Sequence, residues 1–187
     1  MDAKTPAAST TSTCIHKNPE PAGSRQVDFS IEHWSAQSTA RERSLHWPDL
    51  LEVCDGTLDQ SPICDKARGN RPLTVHPARE ADTLEGRCRY LSDGTLILEG
   101  ADADVTALSL NHPRLLQNRA AVLSALLQQT QQADLTRLRE LHSVWELRTT
   151  DGLRREYAGV ALYILRRAIQ QREGRSQRTR GGRTKPV

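Results

Sequence analysis

The chain has 187 residues, enough for one domain with tails, of which 36% are hydrophobic and only 4% aromatic. That composition excludes a membrane-spanning protein, a coiled-coil rod and a fully disordered chain, and it leaves part of the chain outside any core. The net charge of +3 divides unevenly: residues 166–187 hold eight basic residues and one acid, for +7, and residues 1–165 hold 18 basic and 22 acidic residues, for −4.

Residues 1–26 are rich in Ala, Ser, Thr and Pro, have no apolar set to bury, and are expected to be a disordered arm. They lack the apolar run of a secretory signal, and no apolar run anywhere reaches the length of a membrane span. The expected location is therefore the cytoplasm, with no membrane partner. Arginine outnumbers lysine 22 to 4, a bias that GC-rich codon usage produces and that points to a bacterial or mobile-element accessory protein. The four cysteines, Cys14, Cys54, Cys64 and Cys88, are too few and too spread for a disulfide framework.

Alternation over Val27–Ile31 predicts a half-buried strand. Pro48 suits a first helical position and predicts a short helix running to Asp55-Gly56. Residues 55–75, punctuated by Pro62, Gly69 and Pro72, are expected to be a long irregular connection. Next comes a hairpin, Arg87–Leu91 with Thr95–Glu99, around Ser92-Asp93-Gly94. Its register sets Tyr90 opposite Leu96, Cys88 opposite Leu98, and Arg87 opposite Glu99 as an ion pair. Residues 104–110 extend it to a meander, with Asp102 and Asp104 in a connecting turn.

Asn111-His112-Pro113 opens a helix whose apolar stripe is Leu116, Ala120, Leu123 and Leu127, reinforced by Leu115, Val122 and Leu126. A further helical stretch around Leu135, Leu138 and Leu141 either continues it or follows Asp134 separately. A second hairpin, Trp145–Thr149 with Leu153–Tyr157, is predicted around Thr150-Asp151-Gly152, setting Trp145 opposite Tyr157 and Leu147 opposite Arg155. A final helix spans about 159–173 and ends at Gly174. The expected fold is α+β. Two β-hairpins, three to five antiparallel strands in all, pack on two or three helices in a single domain over 27–173, followed by a basic disordered tail over 174–187.

Arg166, Arg167, Arg172, Arg175, Arg178, Arg180, Arg183 and Lys185 are the candidate nucleic-acid-binding residues. Arginines set among Gly, Ser, Thr and Gln build no core but match the spacing of phosphates, with salt-dependent binding as the consequence. Trp34 and Trp47 are candidates for anchoring the N-terminal region or for a hot spot on a protein partner.

Cys54, Cys64, His76 and Cys88 lack the short knuckle that structural zinc requires. No metal or other cofactor is expected. Phosphate loops, nucleotide fingerprints and hydrolase elbows are absent. The segment around Asp55-Gly56-Thr57 resembles the nucleophile loop of haloacid-dehalogenase phosphatases, but Val53 stands where the nucleophilic carboxylate is required. Glu140, His142 and Glu146 cluster near the expected helix–strand junction, a grouping that suits acid–base chemistry and equally suits surface residues at an element boundary.

The expectation is a non-enzymatic accessory or regulatory protein that contacts nucleic acid or a ribonucleoprotein through its basic arm. The alternative is an adaptor or inhibitor whose acidic body binds a host or cognate protein. A third is an enzyme with no recognisable motif.

Overall fold

The computed structural model describes residues 29–38, 40–54, 56–77, 79–148, 150 and 154–181. The expected N-terminal arm lies outside them, as do Val27 and Asp28 of the predicted first strand. The fold is α+β: among the described residues there are six α-helices and three two-stranded antiparallel pairs, and 55% of those residues are helical and 13% in strands. The contacts divide the chain into unit 1, Met1–Arg89 with Leu96–Leu116, and unit 2, Tyr90–Thr95 with Gln117–Val187. Among the described residues, no helix is long and apolar enough to cross a membrane.

In unit 1, β1 (Phe29–His33) pairs antiparallel with β2 (Leu50–Cys54), from Phe29 opposite Cys54 to His33 opposite Leu50. The predicted helix from Pro48 is thus corrected. Pro48 opens a single 3-10 turn, Trp47–Asp49, after which Leu50 is extended and the segment joins β1. Proline's fixed φ suits a 3-10 turn as well as an α-helix, and the cross-strand ladder decides between them. The expected irregular connection is also built. It contains β3 (Thr57–Leu58), β4 (Ser61–Pro62) and α1 (Cys64–Arg68). Gly56 turns into β3 at φ +67, where a Cβ would meet the Ile63 carbonyl oxygen at 2.8 Å, so only glycine fits.

After α2 (Ala81–Arg87) the first hairpin forms as β5 (Cys88–Tyr90) and β6 (Leu96–Leu98). The bonds Glu99 N–H to Arg87 O at 3.1 Å and Leu91 N–H to Thr95 O at 2.9 Å set the expected register, with Gly94 at φ +86 in the loop. The ion pairing differs. Arg87 reaches Glu80 at 2.9 Å, and Glu99 is taken by Arg89. No third strand follows, because residues Asp102–Ala107 form helix α3 and bury Asp104, Val105 and Ala107. Leu96 instead satisfies its outward backbone groups on the Asn111 side-chain amide, at 2.9 and 3.0 Å. One apolar cluster of unit 1 is Val75, Leu98, Ala101 and Val105, with Leu84, Cys88 and Leu110 packed against it.

Helix α4 (Pro113–Gln132) starts as expected, with the His112 ring accepting the Arg114 N–H at 3.3 Å. Its buried stripe is rotated from the predicted one. Leu115, Arg119, Leu123, Leu126 and Thr130 are buried, and Leu127 is 43% exposed. Helix α5 (Leu135–Glu146) is separate, capped by Asp134, whose carboxylate accepts the Arg137 N–H at 2.8 Å.

The second hairpin is shortened. Trp145 lies on α5 rather than on a strand, and only one bridge, Arg148 with Arg154, is formed among the described residues. That bridge has the predicted register, but packing between α5 and the last helix claims the first half of the predicted ladder. Residues 149 and 151–153 lie outside the described residues. Helix α6 (Ala158–Gly181) passes through Gly174 and into the expected tail. It packs on α5 around Ala133, Leu138 and Leu165, with Leu141, Trp145, Ala168 and Ile169. Arg139 to Glu173 at 2.8 Å and Arg172 to the Gln131 carbonyl at 3.0 Å pin the turn just before Gly174, so the helix tolerates that glycine.

Two substitutions test these corrections. Gly174 lies inside α6, and a Cβ added there would meet open space. Gly174→Ala is therefore expected to raise stability by about 0.5–1 kcal/mol; a helix-ending glycine in the left-handed region would instead be destabilised. Leu123→Ala is expected to cost about 2–5 kcal/mol and Leu127→Ala about 1 kcal/mol or less, both measured by denaturant unfolding.

Candidate functional site

The first turns of α6 bury Ala158, Val160, Ala161, Leu162 and Leu165, and the chain beyond them turns basic on a helix already seated. At about 100° per residue, Arg167, Arg175 and Arg178 fall within a sector of about 80° and extend about 16 Å along the axis. All three are exposed, and the other exposed residues between them are Gln170, Gln171, Ser176 and Gln177. Arg167 is fixed over Tyr163, with its guanidinium 5.4 Å from the ring centroid and 2.7 Å from the hydroxyl. The acid in this stretch, Glu173, faces α5, where it accepts from Arg139.

The other predicted arm residues part company with this face. Arg166 is half-buried and Arg172 turns back to Gln131. Arg180 lies on α6, and Arg183 and Lys185 lie outside the described residues. Counted over whole units, unit 2 has fourteen basic and seven acidic residues, and unit 1 has twelve and sixteen. The excess positive charge of unit 2 equals that of residues 166–187, so the rest of the unit is neutral.

The two tryptophans have different situations. Trp34 is half-buried, donates to the Val75 carbonyl at 3.2 Å and lies 5.1 Å from the His76 ring, which makes it an anchor within unit 1. Trp47 is 75% exposed beside Leu45 at 92%.

Next to Trp47 is a cluster the sequence did not announce. Asp49 has no exposed surface. Its carboxylate meets Arg43 Nε at 2.7 Å, Arg79 at 2.8 Å, His46 Nδ1 at 3.4 Å and the Ser35 hydroxyl at 3.4 Å. Burial by itself pushes the Asp49 carboxyl up, but the Arg43 charge, the His46 contact and Arg79 together hold it below its ordinary value of 3.8. Arg43, His46 and Asp49 come from one loop and Arg79 from thirty residues further on, so no local motif signals the set.

Of the candidate acid–base residues, His142 and Glu146 come together at 3.3 Å on one face of α5, and Glu140 pairs instead with Arg137 at 3.0 Å. Asp104 accepts the N–H groups of Thr74 and Val75 at 3.0 and 2.8 Å, holding the 74–75 segment from the first turn of α3. Cys64 is buried, burial pushes the Cys88 thiol up, and the His76 ring faces the Pro48 carbonyl at 3.1 Å. The Cys54 side chain lies outside the described residues. Among the described residues, no group of three metal-binding side chains comes together.

No protein-family model, curated protein or solved structure matches this chain.

Burial pushes the His76 imidazole below its ordinary value of 6.5, and the Arg79 charge adds to this against the opposing effect of the Pro48 carbonyl and Asp49. Below that ordinary value the unfolded chain takes up a proton that the folded protein resists, so stability falls with pH. Lowering the pH from about 7 to about 5 is expected to reduce the melting temperature, and His76→Gln to flatten that slope; an unchanged slope would assign the dependence to other groups.

Proposed function

We propose that this protein is a non-enzymatic accessory or regulatory protein of the cytoplasm that contacts nucleic acid or a ribonucleoprotein through the basic face of α6. The observation that carries this reading is the exposed row of Arg167, Arg175 and Arg178, whose exposed neighbours are uncharged. A helix presents guanidinium groups with less conformational freedom than a disordered tail, which lowers the entropic cost of each phosphate contact. Arg180, Arg183 and Lys185 continue the positive charge beyond Arg178. The aromatic ring beside this face, Tyr163, is taken by Arg167, which favours contact with the sugar-phosphate backbone over stacking and reading of bases.

A second reading, an adaptor that binds a host or cognate protein through unit 1, draws on the exposed Leu45 and Trp47. A large aromatic left in solvent beside an exposed leucine is the composition of an interface hot spot. Unit 1 is also the acidic unit, which suits a basic partner surface.

Binding of the full chain to duplex and single-stranded oligonucleotides across a salt series separates the two. The Arg167→Gln/Arg175→Gln/Arg178→Gln variant is expected to lose about two to three units of the log–log salt slope, one contact for each arginine removed. Trp47→Ala is expected to leave that slope unchanged. An unaltered slope in the triple variant would sink the α6 reading, and a nuclease-resistant stoichiometric protein partner lost on Trp47→Ala would establish the adaptor.

A further inference from the structure

The loop from Arg41 to Asp49 has a chemistry that the basic helix does not. Asp49 binds Arg43 through Nε and one terminal nitrogen, at 2.7 and 3.1 Å, and binds Arg79 through one terminal nitrogen at 2.8 Å. A guanidinium carries five N–H donors, so each arginine keeps donors that the carboxylate does not use. Their side chains are 39% and 47% exposed, so both reach solvent.

The charge is also unbalanced. Two guanidinium groups share one carboxylate, and the nearby acid Glu80 is committed to the His76 backbone at 3.0 Å and to Arg87 at 2.9 Å. His46 turns Nδ1 toward Asp49, and its side chain is 47% exposed. A buried carboxylate thus orients two arginines and a histidine and leaves them with net positive charge. Planar guanidinium groups held in place are the usual receptors for a phosphate group. Trp47, in the same 3-10 turn as Asp49, adds an exposed indole of the kind on which nucleobases stack.

We propose that Arg43, His46, Arg79 and Trp47 form a binding site for a nucleoside monophosphate, with the phosphate on the two guanidinium groups and the base against the indole. Asp49 is the positioning residue: it fixes the arginines and makes no contact with the ligand. The site belongs wholly to unit 1 and is independent of the nucleic-acid reading of α6.

Titration of the full chain with adenosine 5′-monophosphate at low salt, followed by isothermal calorimetry or NMR, tests the site. Saturable binding is expected, with adenosine at least about tenfold weaker because it lacks the phosphate. Arg79→Lys keeps the charge that Asp49 needs but removes the fork, and is expected to weaken binding about three- to tenfold with the fold intact. Trp47→Ala removes an exposed side chain, leaves the fold unaffected, and is expected to weaken binding to a similar extent. The α6 triple variant is expected to bind the nucleotide as the parent does, so loss of oligonucleotide binding and loss of this site are separable. Absence of saturation below about 10 mM, equal affinity for adenosine, or indifference to both Arg79→Lys and Trp47→Ala would overturn the proposal.

Discussion

Buried charge must be fully paired, and unit 1 is arranged around that requirement. Asp49, Arg68 and Asp104 are all buried, and each spends its hydrogen bonds on joining distant or irregular parts of the chain. Asp49 gathers the 35–46 loop and Arg79. Arg68 donates to the carbonyls of His33, Trp34 and Arg71, tying the end of β1 to α1. Asp104 holds the Thr74 and Val75 amides from the first turn of α3. Hydrogen bonds to charged groups contribute about 1.5–3 kcal/mol each, and loss of one partner leaves an uncompensated charge costing about 3–5 kcal/mol. With one phenylalanine and one methionine in the whole chain, large apolar side chains are scarce. Directional polar ties take over part of the work that a large apolar core performs elsewhere.

Unit 2 answers the same scarcity differently. Its helices bury leucine, valine and alanine: Leu138, Ala161 and Leu165 have no exposed surface. One buried charge, Arg119, sits on this face of α4. Burial pulls its guanidinium below the ordinary value while Tyr90, Tyr157 and Asp93 act the other way. Apolar packing on α5 seats the N-terminal half of α6, and the basic half continues the same helix. Segregation of charge therefore accompanies a difference in architecture. The acidic unit is stitched together from loops, and the positive charge rides on the longest helix.

The local signals were legible where one element decided its own structure. Proline after His112 opened α4, and Ser92-Asp93-Gly94 produced the hairpin with its register, each through contacts within a few residues; Asp134 offered a cap, but the break before α5 was one of two readings. The misread elements share a cause. Residues 104–110 and 145–149 alternate in a way that fits a strand, yet burial at Ala101, Asp104, Val105 and on through Trp145 follows helical spacing once a neighbour is present. Pro48 and Gly174 are punctuation marks with two meanings, and pairing with β1 or docking on α5 selects between them. Of the binding candidates, Arg167, Arg175 and Arg178 were visible as a charge run. The Asp49 cluster was not, since its members belong to a loop and to a residue thirty positions away.

By itself, the sequence determined the α+β class, the concentration of positive charge after residue 165, and the starts of the helices that carry their own caps. These follow from composition and from interactions a few residues long. Tertiary structure alone decided which helix face is buried, that the basic segment is helical through Gly181, and that two arginines and a histidine converge on one carboxylate. Burial and charge pairing depend on residues far apart in the chain, and only folding brings them within the few ångströms over which hydrogen bonds and desolvation act.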